Sequence, residues 1–294
     1  MSAIIDSAKK FQDLLDIKEH GTPYFFEKIF PAESWTARLQ AKNKFKLLKN
    51  IHNQLEAMLH EDEKVCFLTS GMEESFFESI FLGQLMYYIN RKAFIFTTQR
   101  LIILQINISN KPTELRAQID YSSIKKIDST SLGKCKIKFK NGKTSIFAHI
   151  PKKDKKFMKE VIDQLSSSLI AADSNTAGLE NLCPHCYVKI EGFPEKCEVC
   201  GKGFKLAAKA GWLSLLFPGL GDFYLGQHKF LAAFEILGAL LIWFVYFMPE
   251  PAETAQPRTF LDYAIGAVII IILAHGLDSL VTRHIAKKGI YPAK

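Results

Sequence analysis

The chain has 294 residues, 48% of them hydrophobic and 23% charged, with a formal net charge of +8. This length accommodates two soluble domains, or one soluble domain and a membrane module. Charged residues occur throughout 1–205, whereas long apolar stretches begin at Leu206. The N-terminus has no apolar run of the length that a secretory signal needs, which predicts a cytosolic location for the residues before Leu206.

The N-terminal region, residues 1–60, is predicted to be helical. Ser34 is a suitable N-cap for a helix over 34–60, in which apolar residues recur at three- and four-residue spacing from Leu48 to Met58. Packing of this helix on the next domain is the expected arrangement. A short coiled coil with a partner is the alternative, because two heptads are too few to specify one.

From residue 63 onward the apolar residues recur at every second position, which is typical of β-strands. The clearest unit is a hairpin in which Cys135, Ile137 and Phe139 share one face and lysines occupy the other. The Asn-Gly pair at 141–142 predicts a two-residue type I′ turn. We interpret Cys135 as a core residue and not as a reactive thiol. The predicted strands are 64–68, 93–97, 101–106, 134–140 and 143–149.

A helix is predicted after Pro151, since apolar residues recur at helical spacing as far as Leu169. Three other features accompany this helix: the Asn-Gly hairpin, the run Phe-Ile-Phe-Thr-Thr-Gln-Arg-Leu-Ile at 94–102 and the run Ile-Asp-Tyr-Ser-Ser-Ile-Lys-Lys-Ile at 119–127. With these features, the chain resembles bacterial pleckstrin-homology-like domains over 62–170. The resemblance implies a seven-stranded bent β-barrel with a C-terminal helix. Such a scaffold binds lipid, peptide or protein. A linker is expected at 171–182.

Positive charge is concentrated between Tyr121 and Glu160, where twelve lysines occur with three acidic residues. Several of these lysines crowd the first turns of the closing helix, where the helix dipole disfavours cations. Together with the row on the hairpin they are candidate contacts for anionic lipid headgroups, at about 1 kcal/mol per lysine. The alternative is a solvated face that keeps the protein soluble. The candidates are Lys136, Lys138, Lys140, Lys152, Lys153, Lys155 and Lys156.

Four of the six cysteines lie within 18 residues, as two Cys-x-x-Cys pairs. Each pair can place both sulfurs on one ion, and ten intervening residues allow the second pair to complete a tetrahedron. The pattern resembles a zinc ribbon at 183–204 and predicts structural Zn²⁺, since four thiolates leave no position for a catalytic water. Rubredoxin-like iron and cysteines without metal are the alternatives. The predicted ligands are Cys183, Cys186, Cys197 and Cys200.

Residues 206–285 form a predicted membrane domain with three apolar segments, each near the roughly 20 residues that span a bilayer core. The segment at 206–226 contains Pro218 and Gly219, so we interpret it as a re-entrant or interfacial hairpin, with a full first span as the alternative. The segments at 230–248 and 261–281 are predicted spans. Lysines before the first segment, glutamates in the 249–260 loop and a basic tail at 282–294 predict an outside loop and cytosolic ends.

The run Leu-Ser-Leu-Leu-Phe-Pro-Gly-Leu-Gly-Asp-Phe-Tyr-Leu-Gly-Gln at 213–227 resembles the start of the two-transmembrane-helix domain family. Members of that family carry an apolar run, a glycine turn and Phe-Tyr-Leu-Gly. Asp278 lies where the family ends its last span with an aspartate. The chain departs from the family by inserting the 249–260 loop. The resemblance implies a membrane hairpin and no particular activity.

Four ionisable residues form a candidate intramembrane polar cluster: Asp222, Glu235, His275 and Asp278. In an antiparallel pair of spans, Glu235 and His275 lie near the same cytosolic boundary and can pair. A structural hydrogen bond between helices is the preferred interpretation. A proton or ion pathway is the alternative, because ionisable groups inside a membrane are functional candidates.

The sequence thus predicts a multidomain protein of the bacterial inner membrane, with a helical N-terminus, a pleckstrin-homology-like β-barrel, a zinc ribbon and an α-helical membrane hairpin. Its expected role is a non-enzymatic adaptor or sensor that presents a lipid- or protein-binding domain to the cytosol. No phosphate-cradling glycine loop or motif with a nucleophile and its base is found. The alternatives are a small transport or channel component that uses the polar cluster, and nucleic-acid binding by the ribbon. Nucleic acid is not the expected partner.

Overall fold

A computed structural model describes most of the chain, and its described residues fall into two compact units. The first, which we call the sheet unit, lies within 1–183 and 187–189, and the second, the helical unit, lies within 184–186 and 190–294. Four predicted features lie outside the described residues: the helical region at 1–22, the Ser34 cap, the linker at 171–177 and most of the 249–260 loop. The described ranges are 23–30, 35–74, 90–129, 134–168, 178–226, 229–248 and 259–293.

The sheet unit contains a large antiparallel sheet with helices before and after its first seven strands. The elements are α1 Phe26–Ile29, α2 Trp35–Met58, β1 Val65–Glu73, β2 Arg91–Thr97, β3 Arg100–Ile106, β4 Pro112–Asp120, a 3-10 turn Tyr121–Ser123, β5 Ile124–Ser129, β6 Cys135–Phe139, β7 Thr144–Ala148, α3 Lys152–Ser168, β8 Leu179–Leu182 and β9 Lys189–Ile190. The strand order is β5-β6-β7-β1-β2-β3-β4-β8-β9, and no pairing between described residues joins its two ends.

The central strands are covered on both faces, which explains why they read as continuous apolar runs. One face packs against the apolar stripe of α2, where Leu48, Ile51 and Leu55 are fully buried. The other face carries Phe94 and Phe96 and shares a core with β5–β7 and α3. The apolar stripes of α2 and α3 therefore pack in two separate cores, one on each side of the sheet.

The β6–β7 hairpin has the predicted strands but a different turn. A type I′ turn needs positive φ at both central residues, whereas Asn141 is not among the described residues with positive φ and Gly142 has φ +82°. Gly142 N–H donates to the Phe139 carbonyl at 3.1 Å, and Phe139 N–H donates to the Lys143 carbonyl at 2.9 Å. The predicted two-residue turn is wrong: the loop has three residues, a type I turn followed by a glycine bulge.

A buried ion pair fixes the start of α3. Lys44 of α2 donates to Asp154 Oδ1 at 2.9 Å, and Thr69 of β1 donates to Asp154 Oδ2 at 2.6 Å. The Lys44 ammonium also lies 4.1 Å from the ring centroid of Phe67. Burial lowers the pKa of Lys44, and the neighbouring Asp154 carboxylate opposes this shift. These contacts hold both helices to β1.

The turn between β2 and β3 is held by a second buried charge. Glu63 accepts two hydrogen bonds from Arg100, at 3.0 Å to each carboxylate oxygen, and one from the Thr97 hydroxyl at 2.6 Å. Arg100 also donates to the Met58 carbonyl at 2.7 Å, at the C-terminal end of α2. The Thr-Thr-Gln-Arg run at 97–100 therefore joins the sheet to the end of a helix.

The helical unit contains two helices that are long and apolar enough to cross a membrane, Lys229–Phe247 with 19 residues and Phe260–Ala286 with 27. At about 1.5 Å per residue they extend roughly 28 and 40 Å, against about 30 Å for a bilayer core. Their large apolar side chains are mostly exposed, for example Phe244 at 63%. The elements are α4 Ala207–Leu216, α5 Leu220–Leu225, α6 Lys229–Phe247, α7 Phe260–Ile270, a π-helical turn Ile271–Gly276 and α8 Leu277–Ala286.

The first apolar segment forms two short helices, α4 and α5, instead of one long helix. The break follows Phe217, and Gly219 adopts φ +84° before α5 begins. A helix of 10 residues such as α4 extends about 15 Å, half of a bilayer core. The re-entrant or interfacial hairpin at 206–226 stays a prediction, and this break is the feature that it requires.

Candidate metal centre

The four clustered cysteines lie close enough together to hold one metal ion. The sulfurs of Cys183, Cys186, Cys197 and Cys200 all lie within 4.8 Å of one another, and those of Cys186 and Cys197 are 3.6 Å apart. Four sulfurs about 2.3 Å from a central ion would be about 3.8 Å apart at the corners of a tetrahedron. The observed spacing fits that arrangement.

Each cysteine pair sits on a turn of the same geometry. Cys183 accepts a backbone hydrogen bond from Tyr187 at 3.0 Å, and Cys197 accepts one from Gly201 at 2.9 Å. The residue after the second cysteine has positive φ in both turns, +61° at Tyr187 and +69° at Gly201. The repeated turn directs both sulfurs of a pair to one side, as binding of a single ion requires.

The environment of Cys197 favours the thiolate, the form that binds metal. Burial raises its pKa, but backbone N–H donors from Cys200 and Val199 and the neighbouring cysteine side chains outweigh burial, so the pKa falls to about 7. Cys135 is the opposite case, because burial raises its pKa to about 11. The chain thus places the four clustered thiols, which could hold a metal ion, apart from Cys135, which lies in the core as predicted.

The segment after the cysteines pairs with the C-terminal residues of the chain. Phe204 forms an isolated β-bridge with Pro292, Lys205 N–H donates to the Tyr291 carbonyl at 2.8 Å, and Ala293 N–H donates to the Gly203 carbonyl at 2.9 Å. Tyr291 is 2% exposed. Part of the predicted basic tail is therefore packed beside the start of α4.

The candidate lipid-contacting lysines fall into two sets. In the helix set, Lys152 and Lys156 are exposed and Lys155 is half-buried, while the side chain of Lys153 lies outside the described residues. In the strand set, Lys140 is exposed at the hairpin loop, and Lys136 and Lys138 are half-buried on β6.

The structure does not join these two sets into one surface. Cys135, Ile137 and Phe139 face the core that α3 also lines, so the alternating Lys136 and Lys138 point to the other side of the sheet. Part of the strand set is also neutralised, because Asp128 pairs with Lys126 at 2.8 Å and with Lys138 at 3.2 Å. Hydrogen bonds from these lysines lower the pKa of Asp128.

Three members of the predicted polar cluster meet in the helical unit. Carboxylate oxygens of Asp222 on α5, Glu235 on α6 and Asp278 on α8 lie within 4.8 Å of one another. Thr282 donates to Asp222 Oδ2 at 2.9 Å, and the Gly219 backbone N–H donates to Asp278 Oδ2 at 3.0 Å. Glu235 thus lies with two other acids, and the predicted pairing with His275 is replaced by this arrangement.

His275 makes two other hydrogen bonds from within the π-helical turn. Trp243 Nε1 donates to His275 Nε2 at 3.2 Å, and His275 Nδ1 lies 3.1 Å from the Leu215 carbonyl oxygen. Since indole N–H only donates and a carbonyl only accepts, both bonds are satisfied by the neutral ring with its proton on Nδ1. His275 therefore joins α4, α6 and the π-helical turn.

Sequence reasoning missed the neutral residues that support this cluster. Ser214 donates to Thr282 at 3.0 Å, Thr282 donates in turn to Asp222, and Ser214 and Thr282 are fully buried. Isolated hydroxyl residues in apolar helices carry no spacing signal. The only sign of their role is their residue type, because small polar residues inside apolar helices commonly form hydrogen bonds to a neighbouring helix.

Comparison with known proteins assigns the chain to no family. No protein-family model matches it, and no curated protein matches it. Similar solved structures include the C-terminal domain of an unknown protein from Leishmania infantum, which is 11% identical with a TM-score of 0.27. That similarity covers 40% of this chain and 93% of the other.

Proposed function

We propose that the chain is a non-enzymatic adaptor or sensor, anchored in the bacterial inner membrane, that presents a cytosolic domain for binding lipid or protein. The observation that carries the proposal is the pair of long apolar helices, whose large side chains are exposed where a soluble protein would bury them. Contiguous apolar surface of this extent requires an apolar environment. The sheet unit supplies the soluble part.

In this proposal the anchor is a hairpin, and both of its ends lie on the cytosolic side of the membrane. The pairing of residues 203–205 with 291–293 supports it, because the residues before α4 and those after α8 lie side by side. Both ends of the hairpin carry the positive charge expected of cytosolic flanks. Lys205 and Lys209 lie at its N-terminal end, and Lys287 and Lys288 lie at its C-terminal end.

The sheet unit acts as a pleckstrin-homology-like domain in this proposal. Seven consecutive strands followed by a helix support that assignment, as does a core shared by β5–β7 and α3. Lys152 and Lys156, the exposed members of the helix set, are the proposed contacts for anionic headgroups. Tethering to the membrane raises the effective concentration of lipid, so weak contacts suffice.

The metal in the four-cysteine cluster is structural zinc. Four thiolate donors at tetrahedral spacing suit Zn²⁺, and such a closed site stabilises a fold without binding a substrate. In this position the ribbon is a rigid spacer at the entry to the membrane hairpin.

Lysine footprinting of the whole protein tests the lipid contact. In nanodiscs of phosphatidylcholine mixed with phosphatidylglycerol, Lys152 and Lys156 should be protected from acylation relative to nanodiscs of phosphatidylcholine alone. The protection should weaken as salt is added, because each contact is worth about 1 kcal/mol and is screened. Lys111, which is exposed outside both lysine sets, is the control. Equal reactivity of Lys152 and Lys156 in both nanodiscs would contradict lipid binding through α3.

A further inference from the structure

The three carboxylates of the helical unit are held close together by groups that leave some of their oxygens unpaired. Asp222 is 1% exposed, and its Oδ2 accepts from Thr282 at 2.9 Å. Its Oδ1 has no hydrogen-bond donor among the described residues, and the same is true of Glu235 Oε2. Two buried acceptor atoms thus lack a donor where three acidic side chains converge.

Within the described residues, no ion pair balances the charge of these three carboxylates. Within the described part of the chain, no Lys or Arg forms a salt bridge with Asp222, Glu235 or Asp278. Ionised carboxylates in a weakly polar surrounding are unfavourable unless a cation or a proton compensates them. One shared proton would satisfy a pair and leave further negative charge, whereas a divalent ion can contact all three side chains.

We infer that Asp222, Glu235 and Asp278 bind one hard divalent cation of the Mg²⁺, Ca²⁺ or Mn²⁺ class. Carboxylate oxygens are the donors that these ions prefer, and the absence of sulfur and imidazole from the three donors disfavours softer metals. The unpaired Asp222 Oδ1 and Glu235 Oε2 are the free ligand atoms. The hydroxyl of Thr282 and the backbone N–H of Gly219 orient Asp222 and Asp278 from outside the donor set.

The bound ion would join three helices of the helical unit. Asp222 lies on α5, Glu235 about two turns into α6 and Asp278 at the start of α8, and α5 packs on both other helices. The ion therefore fixes the short helix against the two long ones. It is distinct from the zinc of the four-cysteine cluster, which has only thiolate donors.

Titration of the purified full-length protein with MnCl₂ alone tests the inference. The protein is kept in detergent with its zinc in place and freed of other divalent ions, and bound Mn²⁺ is counted by electron paramagnetic resonance. One Mn²⁺ per chain is expected, displaced by Mg²⁺ or Ca²⁺. Glu235→Gln and Asp278→Asn should each weaken binding at least about tenfold, since even outer-sphere changes cost about that much.

Asp262→Asn is the matched control, because Asp262 is an exposed carboxylate of the helical unit that caps α7. It should bind Mn²⁺ as the wild type does. Thermal unfolding gives a second reading that needs no variant: added Mn²⁺ should raise the melting temperature of the wild-type protein. Stoichiometric binding that Glu235→Gln and Asp278→Asn leave unchanged would overturn the inference. A wild-type protein that neither binds Mn²⁺ nor is stabilised by it would also overturn it, and would favour carboxyl groups that share protons.

Discussion

Glu63 shows how a single buried charge makes the sheet unit sensitive to acid. Burial raises the pKa of its carboxyl, but the hydrogen bonds from Arg100, Thr97 and the His60 backbone outweigh burial, so the net shift is below the ordinary value of 4.5. Because the folded pKa is lower than the unfolded one, this carboxylate stabilises the fold above about pH 4.5. The stabilisation is lost as the pH falls through the folded pKa.

Urea unfolding as a function of pH measures this contribution. At pH 7 we expect Glu63→Gln to lower the free energy of unfolding by about 3 kcal/mol, because it leaves the guanidinium of Arg100 buried without its carboxylate. The difference from the wild type should shrink below pH 4.5. Glu56→Gln, an exposed change on α2, should show neither effect. A difference that stayed constant down to pH 3 would refute the role of the Glu63 charge.

Gly221 is a residue at which helix packing leaves no room for a side chain. A Cβ there would meet the Ala210 carbonyl, Ser214 Oγ at 2.5 Å and Thr282 Cγ2 at 2.7 Å. Gly221→Ala should therefore destabilise the helical unit by about 1–3 kcal/mol through overpacking. Gly238→Ala is the control, because a Cβ at Gly238 has nothing within 4 Å. That change should be neutral or stabilise α6 by up to about 1 kcal/mol. Equal melting temperatures in detergent for both variants would contradict the packing.

At the scale of single elements, we expect the cysteine-rich segment to depend on a bound metal for its structure. Its two turns are short and its strand pairing is limited to β9 and isolated bridges. We therefore expect chelation of zinc to raise hydrogen exchange over residues 183–205 while β1–β3, buried on both faces, stay protected. A structural zinc site contributes roughly 10 kcal/mol or more to the fold it organises.

Cobalt substitution identifies the donors of this site. Co²⁺ bound in the wild-type protein should give the visible spectrum of a tetrahedral four-thiolate complex, and Cys197→Ser should alter it. Cys135→Ser is the control, since Cys135 lies in the core of the sheet unit. A spectrum without thiolate bands would exclude the zinc assignment, and exchange that rose equally in β1–β3 would exclude a local role.

Several elements follow from the sequence because their signals are local. The alternation in β6 and the apolar stripe of α2 depend only on repeat distance, and the two Cys-x-x-Cys pairs place four sulfurs together through a repeated turn. The β8 strand was not predicted: Leu179–Leu182 lies in the expected linker, and it is ordered by pairing with β4. The sequence of such a short strand does not indicate that it pairs with a distant segment.

The charged residues were harder to predict, because their partners are distant in the chain. Lys44 is one of four lysines between residues 42 and 49, and nothing in that run indicates a partner, yet it is 8% exposed and bound to Asp154, 110 residues later. Glu235 was expected to pair with His275, and it lies instead with Asp222 and Asp278. The break after α4 brings Asp222 back between the long helices, which hydropathy alone does not indicate.

At the scale of the whole molecule, we propose that α6 and the continuous helix from α7 to α8 cross the membrane as a hairpin with both ends cytosolic. In that arrangement the sheet unit would face the cytosol and the 249–260 loop would face the other side. Two positions report on this arrangement: Lys111, which is exposed on the sheet unit, and Glu253 in the loop.

Sided labelling of single engineered cysteines with a membrane-impermeant maleimide is the most direct test, with the protein lacking an engineered cysteine as the background. In right-side-out inner-membrane vesicles, Glu253→Cys should label and Lys111→Cys should not. Inverted vesicles should reverse the result, and the protein should resist carbonate extraction. Labelling of both positions from the same side, or release of the protein by carbonate, would contradict the membrane hairpin.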